Sequence, residues 1–212
     1  YTFQLSNPLE LGSSMDETEK KEEQTQGEEP EKEQENKTVN NISVEADDFY
    51  LALNKLKSYL SKEPELSHIK VIVFSEEAAR DGILEQASLL FQQQQIRPSA
   101  NVGLAESARE FLNRVKPTLE ESTARYYELL FQNRNSPYAP VTELREFVAR
   151  GTDDAWDPVL PVADEEKLSG MGVFQNGTLV EIMDGKQAML YKLLAGQAHE
   201  IAVRAGDSSF LV

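Results

Sequence analysis

A serine at a strand–helix junction is a common place for a nucleophile or a bound phosphate, and HIKVIVFSEEAARDG, residues 68–82, holds one such junction. The apolar run Ile69–Phe74 breaks at Ser75 and leads directly into a helix-like stretch beginning Glu76-Glu77. A phosphate cradle wants glycines, so that backbone N–H groups can close around the anion, and usually a lysine. Here Ser-Glu-Glu stands in that place. Ser75 suits a helix N-cap, and the two glutamates complement the positive end of the helix dipole while repelling an anion. No G-x-S-x-G elbow surrounds Ser75. His68 lies seven residues back, at the far end of the strand, and His199 approaches only through tertiary folding.

The other groups with chemical potential are weaker. The two histidines, His68 and His199, stand before strand-like runs and lack H-x-x-E or H-E-x-x-H spacing, so no zinc or manganese set is assigned. Asp153, Asp154 and Asp157, with Glu165 and Glu166, are dense but lack the alternating ligands and central glycine of a calcium loop, and read as a surface acidic stretch. Arg109, Arg114, Arg125 and Arg134 are spread over predicted helices and form no basic patch. Tyr126, Tyr127 and Phe131 read as core or interface aromatics rather than a stacking platform. Acidic residues are too numerous for a glycosidase-like carboxylate pair to be picked out. The assignment is no catalytic, cofactor-binding or metal-binding residues, and no cofactor.

Bulk composition narrows the classes further. The chain has 212 residues, 40% of them hydrophobic, enough for a buried core. There is no cysteine, which removes disulfides, thiolate nucleophiles and Cys-ligated metals. With 21 basic against 37 acidic residues and a formal charge of −16, neither nucleic acid nor an anionic lipid surface is a suitable partner. No run approaches the roughly 18 apolar residues of a membrane span. The opening YTFQLSNPL is already strand-like, so the sequence is read as a fragment lacking a targeting segment and its anchor.

The elements that position these residues follow from local pattern. Residues 1–9 predict a strand ended by Asn7-Pro8. Asp16–Lys37 holds ten acidic and four basic residues and no apolar side chain beyond one proline, so it supplies −6 of the charge and leaves −10 for the rest. Such a tract cannot offset the entropy of ordering, and a disordered insert is expected over 13–41. Phe49, Leu53, Leu56 and Leu60 keep helical spacing up to Pro64. The helix after Ser75 is expected to run to Gln94 with Ile83, Ala87, Leu90 and Phe91 inward, and Asn101–Leu104 to form a short strand. Three helical stretches follow: SAREFLNRV; TARYYELLFQNR, with apolar Tyr126, Leu129, Leu130 and Phe131; and VTELREFVARG, with Pro140 at its start and Gly151 past its end. TDDAWDPVLPVADEEK reads as a loop pinned by Trp156, Val159 and Leu160. GMGVFQNGTLVEIMD is a hairpin about Asn176-Gly177, Asp184 caps the next helix, and Gly196 ends it. HEIAVRAGDSSFLV supplies two short strands or one bent one. The elements interleave without regular βαβ repeats, which predicts an α+β (mixed α/β), non-Rossmann fold with a mixed sheet packed by helices.

Several of these stretches, in this order, resemble the Ger(x)C family, the lipoprotein C subunit of bacterial spore germinant receptors. The likeness is carried by HIKVIVFSEEAARDGILEQASLLFQQQQIRPSANV with its Arg97-Pro98 pair and short strand. It continues in FQNRNSPYAPVTELREFVARGTDDAWDPVLP with Asp157, Pro158, Leu160 and Pro161, in GMGVFQNGTLVEIMDGKQAMLYKLLAG, and in the opening YTFQLSNP. Two places depart from the family pattern: the long acidic insert over 13–41, and Glu181-Ile182 where a valine–glycine pair often follows the hairpin. The resemblance implies a single N-terminal domain, residues 1–212, of a larger lipoprotein, with no catalytic residues. It implies two membrane-embedded partners, the A and B subunits of the same receptor. It also implies a place on the outer face of the spore inner membrane, through a lipid anchor absent from this fragment. From the residues alone, a small-molecule binding module and a carboxylate-based hydrolase stand as alternatives.

Overall fold

The computed structural model describes residues 1–5, 40–114, 123–153, 157–164, 167–197, 202–205 and 208–211. Its centre is a five-stranded sheet in the order β3 (Val71–Ser75), β4 (Asn101–Ala105), β5 (Val159–Asp164), β6 (Lys167–Gln175) and β7 (Thr178–Asp184). The first three strands run parallel and the last two antiparallel, which is the expected mixed sheet with helices packed on it. Two small antiparallel pairs stand apart from it: β1 (Thr2–Leu5) with β2 (Asn40–Ser43), and β8 (Ala202–Ala205) with β9 (Ser208–Leu211).

Alternation along the strands sends side chains to two helical layers. Val102, Leu104, Leu160, Val162, Phe174 and Leu179 pack with α1 (Phe49–Tyr59), α2 (Glu76–Asp81), α3 (Leu84–Gln92) and α6 (Leu144–Gly151). On the other side Ala105, Ala163 and Leu168 meet α4 (Ala108–Arg114) and α5 (Thr123–Phe131), and Val159 and Met171 meet α7 (Gly185–Leu194). Gly103 is what lets α5 approach: a Cβ there would lie 2.0 Å from Phe131 Cε1. Asp48 caps α1 by accepting from Leu51 N at 2.9 Å, and Phe49, Leu53 and Leu56 are buried as their spacing requires.

The hairpin follows the sequence closely. Asn176 (φ 51°) and Gly177 (φ 78°) both take the left-handed conformation that a two-residue turn of this type demands. Val159 and Leu160 are buried, while Trp156 lies outside the described residues. The strand expected at 101–104 is present and extends to Ala105, and the C-terminal run forms two strands.

Five local expectations need correction. The helix after Ser75 is broken at Gly82 (φ 103°) and ends at Gln92; Ile83 N donates to Gly177 O at 2.9 Å, so the break seats on the hairpin turn. Phe91 is exposed rather than inward: it falls at the edge of the helical arc that Ile83, Ala87 and Leu90 bury. In α5 the buried pair is Tyr127 and Phe131, and Leu129 faces solvent. α6 begins after Glu143, not at Pro140, because residues 142–143 first bridge to β4, and Gly151 is its last residue. The stretch read as a loop contains β5. Pro161 is tolerated there because β4 pairs with β5 only at Leu104–Val162 and Ala105–Ala163, leaving the proline a single partner strand. In addition, β2 overlaps the last residues of the acidic stretch: Asn40 and Asn41 pair with Leu5 and Gln4.

Candidate functional surfaces

Ser75 closes β3, and its Oγ accepts a hydrogen bond from Ala78 N at 3.3 Å, with Glu76 and Glu77 in the first turn of α2. It is a helix cap, as its context suggested. His68 sits in a one-turn 3-10 helix, Leu66–His68, before the strand begins. It is exposed, with Nε2 3.7 Å from Glu65 Oε1. Serine and histidine thus occupy opposite ends of β3 and form no relay. His199, Asp154, Glu165 and Glu166 lie outside the described residues. Asp157 is exposed, and among the described residues no three His, Asp or Glu converge on a metal-sized site.

A general acid in a hydrolase is usually a carboxyl held above its ordinary pKa. Among the described residues, the two carboxylates whose pKa departs clearly from its ordinary value, Glu63 and Glu128, move the other way. Burial works against the charge of Glu128, but hydrogen bonds from Arg125 and Lys70 and their positive charges outweigh it and hold the carboxyl low. Arg125 Nη1 is 2.8 Å and Lys70 Nζ 3.2 Å from it, so this trio ties α5 to the entry of β3. Arg109 and Arg114 lie on α4, where Arg114 pairs with Glu110 at 2.7 Å; Arg134 lies in the connection after α5, not on a helix. Tyr127, whose hydroxyl donates to Phe111 O at 3.1 Å, is a buried packing residue whose pKa is raised by burial first and by Tyr126 second.

One open depression of about 590 Å³ lies where Phe91, Arg134, Val141, Glu143, Arg145, Glu146 and Ala149 meet. Its charges are largely internal: Arg145 Nε lies 2.6 Å from Glu143 Oε2, and Arg150, next to it on α6, is 2.8 Å from Glu146. Ligand pockets of similar volume enclose most of their guest. This one is open to solvent. Sequence reading assigned Phe91 to the core and so missed this surface.

The second distinctive surface is α7. Asp184 Oδ1 accepts from Lys186 N and Gln187 N, both at 2.9 Å, while Gln187 Oε1 accepts from Asp184 N, completing a capping box. At the other end Gly196 (φ 66°) turns the chain, Gln197 N donates to Lys192 O and Gly196 N to Leu193 O. Between these caps the polarity is inverted. Lys192 is buried, 4% exposed, and its Nζ donates to Ser136 O at 2.5 Å and Ala139 O at 3.1 Å, while Leu194 is 91% exposed and Leu190 53%. Burial lowers the Lys192 pKa from its ordinary value. The signal for this lysine in the sequence was faint: it stands four residues after the buried Ala188, on one helical face.

Comparison with known proteins gives these surfaces a context. No curated protein matches the chain. Among solved structures, the crystal structure of the GerBC protein shares the fold at a TM-score of 0.50 and 12% identity, covering 82% of this chain and 50% of that one. The chain therefore spans about half the length of that protein. No helix among the described residues is long and apolar enough to cross a membrane. Residues 2–165, most of the chain, match the family described as spore germination protein N-terminal domain, and the chain belongs to that family.

Proposed function

We propose that this chain is the N-terminal domain of the lipoprotein C subunit of a nutrient germinant receptor, a non-catalytic part that supports receptor assembly or signalling. The observation that carries the reading is the family match over residues 2–165, within which no serine–histidine relay or metal cluster forms among the described residues. On this reading residues 1–212 are one domain with an acidic insert over 13–41, and the two membrane-embedded A and B subunits are its partners. A lipid anchor carried elsewhere on the protein holds it at the outer face of the spore inner membrane. The charge of −16 supports that arrangement, since a strongly acidic domain needs an anchor rather than its own surface to stay beside anionic lipid.

The test is genetic. The gene is deleted in its sporulating host with redundant receptors also removed, and germination is followed on single nutrients. Loss of the response to one nutrient, restored by the intact gene, is the expected result. Germination that proceeds unchanged on every nutrient refutes the reading.

A further inference from the structure

Asparagine followed by glycine is the dipeptide most open to spontaneous deamidation, because glycine has no side chain to hinder attack by its own backbone nitrogen. The pair occurs once in this chain, at Asn176-Gly177. Asn176 is exposed, and among the described residues its carboxamide has no hydrogen-bond partner. Gly177 is buried: its carbonyl accepts from Ile83 N at 2.9 Å, and a Cβ on it would lie 2.3 Å from Leu84 Cβ. One half of the reactive pair is thus free in solvent, and the other is packed against the break between α2 and α3.

The reaction needs only water as a co-reactant. Gly177 N bonds to Asn176 Cγ while the Cγ–Nδ2 bond breaks, and the proton lost from Gly177 N leaves with Nδ2 as ammonia. Water then opens the resulting five-membered imide. Opening at Cγ gives aspartate; opening at the main-chain carbonyl gives isoaspartate, whose backbone runs on through Cβ and Cγ. Closing the ring requires Gly177 N to eclipse the Asn176 Cβ, which sets ψ of Asn176 at about −120°, the value of a type II′ turn. The observed turn, with φ of 51° and 78°, is the type I′ form, whose ψ at this position is about +30°. Both forms have a positive φ at Asn176. They interconvert by flipping one peptide, Asn176–Gly177, while Gln175 and Thr178 stay paired.

The geometry points to Asn176 as a gated deamidation site, with the seam between Gly177 and Ile83-Leu84 as the gate. While the seam is closed, the flip must turn Gly177 against Leu84, and the amide nitrogen stays away from Cγ. When the seam parts, only one peptide has to rotate for the ring to close. Isoaspartate adds a methylene to the main chain inside a two-residue turn, so it displaces Gly177 O from Ile83 N and the seam does not reclose. The change is one-way, and it records how often this hairpin leaves the α2–α3 break. This inference is independent of the receptor reading and concerns the chain alone.

The test incubates the full chain in mildly alkaline buffer, folded or in urea. The peptide containing residues 175–178 is followed by mass spectrometry, with the aspartate and isoaspartate products separated by chromatography. Gating predicts that the carboxamide is lost at least about tenfold more slowly in the folded chain than in urea. Leu84→Ala, which empties the space against Gly177, should remove most of that protection. Gly103→Ala, which strains the opposite face of the sheet at Phe131, should leave it in place. Equal rates in the folded and unfolded chain overturn the proposal. So does protection that survives Leu84→Ala, or that Gly103→Ala removes to the same extent, which assigns the reaction to global unfolding. The purified isoaspartate form should unfold at a lower urea concentration than the native chain, and an unchanged midpoint overturns the claim that the seam stays open.

Discussion

Lys192→Met probes how α7 is held against the sheet. In the native chain the ammonium donates to Ser136 O and Ala139 O, both in the connection between α5 and α6, and no carboxylate neutralises it there among the described residues. Methionine keeps the volume and the apolar stem but leaves two carbonyls without their donor. Each lost bond from a charged donor is worth about 1.5–3 kcal/mol, and relief from burying the charge offsets part of that, so a net loss of about 2 kcal/mol is expected. For a chain of this size that corresponds to a fall in Tm of about 4–8 °C. Thermal and urea unfolding at neutral pH measure it, and amide exchange should quicken over residues 136–142. Lys192→Gln, which retains an N–H donor on a shorter arm, should fall between the two. The pH dependence adds a second readout. Burial depresses the folded pKa of Lys192 below the unfolded value of 10.5, so between the two the unfolded chain binds more protons and native stability rises with pH. Tyr127 acts in the opposite direction: its raised pKa keeps a proton on the folded chain, and stability falls as pH climbs past its ordinary value of 10.0. Subtracting the Lys192→Met curve from the native one removes the tyrosine, and the gap should widen as pH approaches 10.5. A methionine variant as stable as the native chain, with a flat difference curve, would refute the anchoring role.

Two further substitutions test other parts of the account. Gly103→Ala places a methyl group against Phe131, which is fully buried, and should cost about 1–3 kcal/mol in urea unfolding; adding Phe131→Leu should recover part of the loss. Ser75→Ala should lose about 1 kcal/mol of stability, whereas Ser75→Asp, which also caps, should retain it, and spores carrying Ser75→Asp should germinate normally. A stable Ser75→Asp protein that abolishes germination would show that the hydroxyl does more than cap.

The features legible in the sequence were those decided within a few residues. Ser75, Asp184, Asn176-Gly177 and Gly196 each occupy the local geometry their chemistry prescribes, because caps and tight turns are settled by short-range hydrogen bonds and by φ. The errors came where distant partners decided. Pro161 argued for a loop until β5 proved to have β6 alone as its neighbour at that residue. Phe91 and Leu129 fit helical periodicity but face solvent, since Phe91 falls at the edge of the arc that Ile83, Ala87 and Leu90 bury and Tyr127 takes the inward place on the other helix. Lys192 and the shallow depression at Phe91 are joint products of segments far apart in the chain. Composition and spacing carry no direct record of either. The family was legible as an ordered likeness spread over several stretches, and residues 2–165 match its N-terminal domain.

The position of β5 also orders how the chain assembles. β5, β6 and β7 form an antiparallel meander of neighbours in sequence, whereas β3 joins β4 across two helices and β4 joins β5 across three. Loop closure favours the meander first, so β5 becomes the template onto which β4 and then β3 add in parallel. The family match stops at residue 165, one residue beyond β5. A chain cut at that boundary would keep the slow, parallel half and lose the strands that template it. Its Val159–Ala163 segment, buried in the intact sheet, would become a bare apolar edge open to aggregation. The five-stranded sheet thus extends beyond the family match, through β7 at Asp184.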